Sequence, residues 1–172
     1  MEQRQRARRA APRVELLAVL AVVAACKANQ PSLTDAHGAL DARCAGPNAD
    51  LLFDYFPTTI ATPTAALGAP DGAVVTLAAN SEVTVGFIGL GGLTDGAGVD
   101  LRIIATLDPG ASALVRVAQT DQVFSYAGTL DSAHHEFDLG VAMVTTAVYV
   151  RLIDAQGAIG VDAFEAVHDQ CR

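Results

Sequence analysis

Apolar and polar side chains alternate with a period of two along most of this chain. From Ser81 to Leu90, Val83, Val85 and Phe87 fall on one face and Thr84, Gly86 and Ile88 on the other, as in a strand with one buried side. Between Val99 and Leu107, the set Val99, Leu101 and Ile103 alternates with Asp100, Arg102 and Ile104. In Ala113–Ala118, Val115 and Val117 oppose Leu114 and Arg116. Leu51–Phe56, Val74–Ala78, Gln122–Tyr126, Glu136–Leu139, Ala147–Ile153 and Val161–Val167 read as further strands, about eight to nine altogether. Val74–Ala78 and Glu82–Ile88 are expected to pair as a hairpin across Ala79-Asn80-Ser81. Pro70-Asp71-Gly72, Asp108-Pro109-Gly110 and Gln156-Gly157 supply turns, because proline pre-sets φ, aspartate bonds nearby backbone and glycine tolerates φ > 0. No window after Cys26 sustains a helical period. The pattern predicts an all-β domain over 44–172, a single sandwich or jelly roll.

The first 25 residues follow a different rule. An arginine-rich stretch ending at Arg13 precedes about twelve mostly apolar residues, Val14 to Ala25. That is the length of a signal-peptide core and well short of the ~20 residues a membrane-spanning helix needs. The run ends in Val23-Ala24-Ala25-Cys26, which resembles a bacterial lipobox, whose cysteine is lipidated and becomes the first residue of the mature protein. The expectation is a signal helix over 1–25, a lipid on Cys26 that holds the protein at a membrane, and a tether over 26–43. An ordinary signal peptide with a cysteine near its cleavage site is the alternative. Export places the remaining thiols in an oxidising compartment. With Cys26 lipidated, Cys44 and Cys171 are the one pair left to form a disulfide.

Composition sharpens the picture. Ala, Val, Leu and Gly dominate, tryptophan is absent and aromatics are few, which implies a core of small side chains. From Cys26 onward there are six basic and seventeen acidic side chains, a net charge of −11. Such a body excludes nucleic acid as a partner, since that needs clustered Lys and Arg to displace counterions.

Ala66-Leu67-Gly68-Ala69-Pro70-Asp71-Gly72 resembles the "LGAPDG" opening of a group of bacterial cell-surface domains. Val85-Gly86-Phe87, Asp95-Gly96-Ala97-Gly98-Val99-Asp100-Leu101 and Gly160-Val161-Asp162-Ala163-Phe164-Glu165-Ala166 match that group's later motifs in the same order, over about residues 50–168. These domains are similar to galactose-binding-like jelly rolls. The resemblance implies that fold, an envelope location and, through the calcium such jelly rolls often hold, a hard-cation site. Asp71, Asp95, Asp100, Asp162 and Glu165 are its candidate ligands, oxygen donors of the kind Ca2+ prefers. The competing expectation is that these carboxylates only cap turns.

Other chemistry is sparse. His134-His135-Glu136 with Asp138 is the one cluster suited to acid–base or zinc chemistry. Neighbouring strand residues point to opposite faces, so both histidines cannot serve one metal in an extended segment. Gly89-Leu90-Gly91-Gly92 follows a strand but precedes no helix that would complete a phosphate cradle. No serine lies in a GxSxG context. The sequence therefore points to an exported, lipid-anchored, non-catalytic binding or adhesion module whose ligand is a carbohydrate or another envelope component. A surface glycan hydrolase or lyase, and a purely structural envelope lipoprotein, are the other readings. A concave face bearing an exposed tyrosine favours the binder, a pocket holding two carboxylates within reach of each other favours the enzyme, and a featureless surface favours the structural role.

Overall fold

In the computed structural model, residues 46–168 are described. The segments expected to be a signal helix and a tether, with Cys26, Cys44 and Cys171, lie outside them, as does the side chain of Asp154. Eleven strands account for the described chain: β1 Leu51–Phe56, β2 Val75–Leu77, β3 Glu82–Gly86, β4 Leu93–Thr94, β5 Leu101–Leu107, β6 Ser112–Ala118, β7 Ser125–Leu130, β8 Glu136–Phe137, β9 Thr146–Ala147, β10 Tyr149–Gln156 and β11 Ile159–Ala166. Short 3-10 turns occupy Pro63–Ala66 and Leu139–Ala142.

The strands form an antiparallel sandwich. One sheet has the order β1-β3-β10-β6-β7, the other β2-β11-β5-β8, and β4 pairs β9 in a small ribbon. The alternating side chains explain the packing. Val83, Val85, Val115, Val117, Val150 and Leu152 face inward from the first sheet; Val75, Leu77, Leu101, Ile103, Ile159, Val161 and Phe164 face them from the second. All are buried in one continuous core, which supplies the main driving force for folding. The predicted all-β sandwich is the observed fold.

The hairpin between Val74–Ala78 and Glu82–Ile88 is not formed. β2 pairs β11 in the second sheet, and β3 lies between β1 and β10 in the first. Asn80, at φ 62, turns the chain from one sheet to the other, and its N–H donates to the Ala155 carbonyl. A three-residue link here makes a corner between layers, and each strand finds its partner far along the chain. The strand predicted at Gln122–Tyr126 starts at Ser125 and continues to Leu130. Asp121 to Phe124 instead form a loop, with Val123 exposed and Phe124 lying against Arg151.

Bulges adjust the register at two useful places. Phe53 is the extra residue in β1 and Asp162 the extra residue in β11. A bulge re-aims the side chain that it carries. Phe53 turns outward to meet Tyr149, with ring centroids 4.9 Å apart, and Asp162 reaches the turn that precedes β2.

Candidate functional site

The structure divides the five acidic candidates among three places. Asp162 accepts hydrogen bonds from the backbone N–H of Asp71 at 3.2 Å and of Gly72 at 3.2–3.3 Å, while Asp71 accepts from Ala73 N–H at 2.8 Å. The Pro70-Asp71-Gly72 turn and the Asp162 segment, separate motifs in the sequence, are thus one hydrogen-bonded unit. Gly72 has φ 83, a left-handed conformation that glycine adopts without a Cβ penalty. Glu165 is elsewhere, sharing Arg102 with Glu136 at 3.1 and 3.0 Å. These two hydrogen bonds, Glu136's foremost, raise the Arg102 pKa.

Asp95 and Asp100 do meet, and Asp138 joins them. One carboxylate oxygen from each lies within 4.8 Å of the others. Asp100, only 1% exposed, ties the loop before β5 to the 3-10 turn at 139–142. Its Oδ1 accepts from Gly96 N–H and its Oδ2 from Leu139 N–H, both at 2.8 Å. Asp138 caps that turn by accepting from Gly140 N–H at 2.7 Å. His168 Nε2 stands 3.6 Å from Asp100 Oδ1. The donor set, three carboxylates within one ion's reach, fits a hard cation such as Ca2+. The sequence groups Asp138 with His134, His135 and Glu136 rather than with Asp95 and Asp100, because no local signal shows that the turn at 139–142 lies against the loop before β5.

The remaining candidates have local roles. His134 Nδ1 contacts Asp131 at 2.9 Å, and His135 Nδ1 contacts the Ile103 carbonyl at 3.2 Å, so the two imidazoles serve separate partners. Asp131 also accepts from the N–H groups of Ala133 and His134. The Ala133 bond first, and then the His134 side chain, hold its carboxyl below the ordinary aspartate range. In the glycine-rich turn after β3, the N–H groups of Ile88 and Gly89 point at the carboxylate of Asp50. The carboxylate of Asp50 thus already occupies the two N–H groups of this turn. The open depression lined by Asn80, Ser112, Leu114 and Gln156 has no titratable side chain in its wall.

A second assembly lies on the outer face of the five-stranded sheet. Register places Asp54, Thr84, Arg151, Arg116 and Tyr126 in one row across β1, β3, β10, β6 and β7. Arg151 Nε donates to Thr84 Oγ1 at 2.9 Å, and its guanidinium lies 4.0 Å over the Phe124 ring. Tyr126 is 51% exposed and shares a 2.9 Å hydrogen bond with Thr129; Phe56, on the same face, is 58% exposed. Burial, and then the charge of Asp121, push the Tyr149 phenol above its ordinary range.

Comparison with protein-family models, curated proteins and solved structures found no match to this chain. No helix among the described residues is long and apolar enough to cross a membrane.

Proposed function

We propose that this protein is exported, held at the envelope by a lipid on Cys26, and acts through its sandwich as a non-catalytic binding or adhesion module. A carbohydrate is the ligand class. The observation that carries this reading is the outer face of the five-stranded sheet, where Tyr126 presents an exposed ring in register with Arg116 and Arg151, and Phe56 is exposed on the opposite edge strand. Aromatic rings offer large, rigid, amphipathic contact area to a sugar ring. The resemblance to the LGAPDG cell-surface domains supports the same reading, as does the signal-like segment ending at Cys26. Against a hydrolase or lyase, two of the three carboxylates that converge, Asp100 and Asp138, are engaged with backbone N–H groups, and Asp100 is buried.

A disulfide between Cys44 and Cys171 belongs to this proposal. The N–H of Ala166 donates to the Pro47 carbonyl, and that of Ala49 to the Phe164 carbonyl. Pro47 and Ala166 lie three and five residues from the two cysteines, and at about 3.4 Å per extended residue that span can be closed. So does a structural Ca2+ held by Asp95, Asp100 and Asp138. It would offset the repulsion among three clustered carboxylates and pin the loop before β5 to the turn at 139–142.

A glycan-array screen of the full chain in detergent, with Ca2+ and with EDTA, tests the binding role. Retention of a defined glycan subset supports it. Retention of none overturns it in favour of a purely structural envelope protein.

A further inference from the structure

Residues 46–168 carry three arginines and no lysine against fourteen acidic side chains. Arg102 is spent on Glu136 and Glu165. The other two, Arg116 and Arg151, are direct partners across the β6–β10 ladder and face outward together. Neither has a carboxylate oxygen within 4.0 Å among the described side chains, which do not include that of Asp154. Like charges directly opposite one another in a sheet are destabilising. In so acidic a protein a carboxylate could easily have stood beside them, and the nearest in the row, Asp54, is separated by Thr84 and accepts from its neighbour Tyr55 N–H instead. Moreover, Arg116 Nε is buried without a hydrogen-bond partner among the described residues.

We propose that this arginine pair, with Tyr126 beside it, binds the carboxylate of a uronic-acid-bearing glycan. The inference rests on the glycan-binding reading above and names its site and ligand class. Three features choose the occupant. Guanidinium groups match a carboxylate with two parallel N–H···O bonds, and a bridging carboxylate removes the repulsion between the two cations. Arg151 is held in place by Thr84 and the Phe124 ring, so little side-chain freedom is lost on binding. Tyr126, opposite Arg116 in the register and exposed, gives the sugar ring a surface to lie on. The strongly negative remainder of the molecule repels dense polyanions, so the charge recognised is an isolated carboxylate on a largely neutral ligand.

The test uses the full chain in detergent and three probes: glucuronate-substituted xylotetraose, whose carboxylate is isolated on a neutral backbone, and two denser anions that should bind more weakly, a heparosan tetrasaccharide and tri-galacturonate. Each is paired with its carboxyl-reduced form. At least one acid form is expected to bind about tenfold or more tighter than its reduced form, with affinity falling as ionic strength rises. Arg116→Gln and Arg151→Gln should each lose about tenfold or more; Arg116→Gln should do so while keeping or raising the melting temperature, since it relieves the like-charge contact without breaking the Arg151 bonds to Thr84 and Phe124. Equal binding of acid and reduced forms, unaffected by either variant, overturns this proposal and leaves glycan binding standing. Binding of no probe in either form overturns the proposal as well; the array then shows whether the broader reading falls with it.

Discussion

Asp100 sits on the side of β5's alternation that the sequence assigns to solvent, yet it is buried, because two backbone N–H groups, Gly96 in the preceding loop and the distant Leu139, need an acceptor there. Bonds to a charged acceptor contribute about 1.5–3 kcal/mol each, and an orphaned buried donor is costly. Asp100→Ala should therefore destabilise the fold by about 2–4 kcal/mol, and Asp100→Asn, which keeps one acceptor oxygen, by less; denaturant titration reads both. Asp131 is the contrasting case, an exposed carboxylate whose pKa is lowered by the Ala133 N–H and by His134. A group with a depressed folded pKa stabilises above its unfolded pKa, and that contribution is lost as pH falls through the folded value. The native protein should lose stability below about pH 4 more steeply than Asp131→Asn, and NMR titration should place Asp131 below ordinary aspartates. Equal slopes would remove this turn from the acid response. The turn-forming role of these aspartates is legible because Asp-Gly and Asp-Pro-Gly have local mechanisms. What Asp162 or Asp100 reaches across the fold is not local, so the sequence could not say which carboxylates would meet.

At the scale of elements, the period-two pattern in β3 and β6 identifies the buried side correctly: Val83, Val85, Phe87, Val115 and Val117 are all fully enclosed. Strand pairing was harder to read, because a short polar link serves equally as a hairpin or as a corner between sheets. The arginine row depends on β6 lying beside β10, a neighbour relation that no local signal carries. Sheet-to-sheet packing has a sharper local requirement at Gly128 in β7. A Cβ there would stand 2.7 Å from the Phe137 ring of β8, and Phe137 is itself nearly buried. Gly128→Ala should cost about 1–3 kcal/mol, as overpacking does. The Phe137→Leu background, which vacates the ring edge, should recover part of that loss in a double-mutant cycle. Strict additivity of the two changes would show that the contact is not what excludes the side chain.

For the whole molecule, the acidic body and its clustered carboxylates make stability depend on the ionic medium. If Asp95, Asp100 and Asp138 hold Ca2+, a hundredfold excess over Kd adds about 2.7 kcal/mol, or roughly 5–11 °C in melting temperature at about 2–4 °C per kcal/mol. Mg2+, which demands tighter octahedral geometry, should give a smaller shift and also controls for ionic strength. Identical curves in Ca2+ and EDTA would leave the three carboxylates as turn ties. Asp138→Asn should abolish a Ca2+ shift while leaving the Asp100 hydrogen bonds to Gly96 and Leu139 in place.

The last two strands have a consequence for the order of events during synthesis. β10 lies between β3 and β6 in one sheet, and β11 between β2 and β5 in the other, so the C-terminal strands fill the middle of both layers. Until Tyr149–Ala166 has emerged, β3 and β6 have nothing to join them, nor have β2 and β5. The growing chain can form the local β6–β7 pair but neither complete sheet. Folding that waits for such distant pairings is slow. If the protein is exported unfolded, as proposed above, this delay keeps the nascent chain threadable until its end is released.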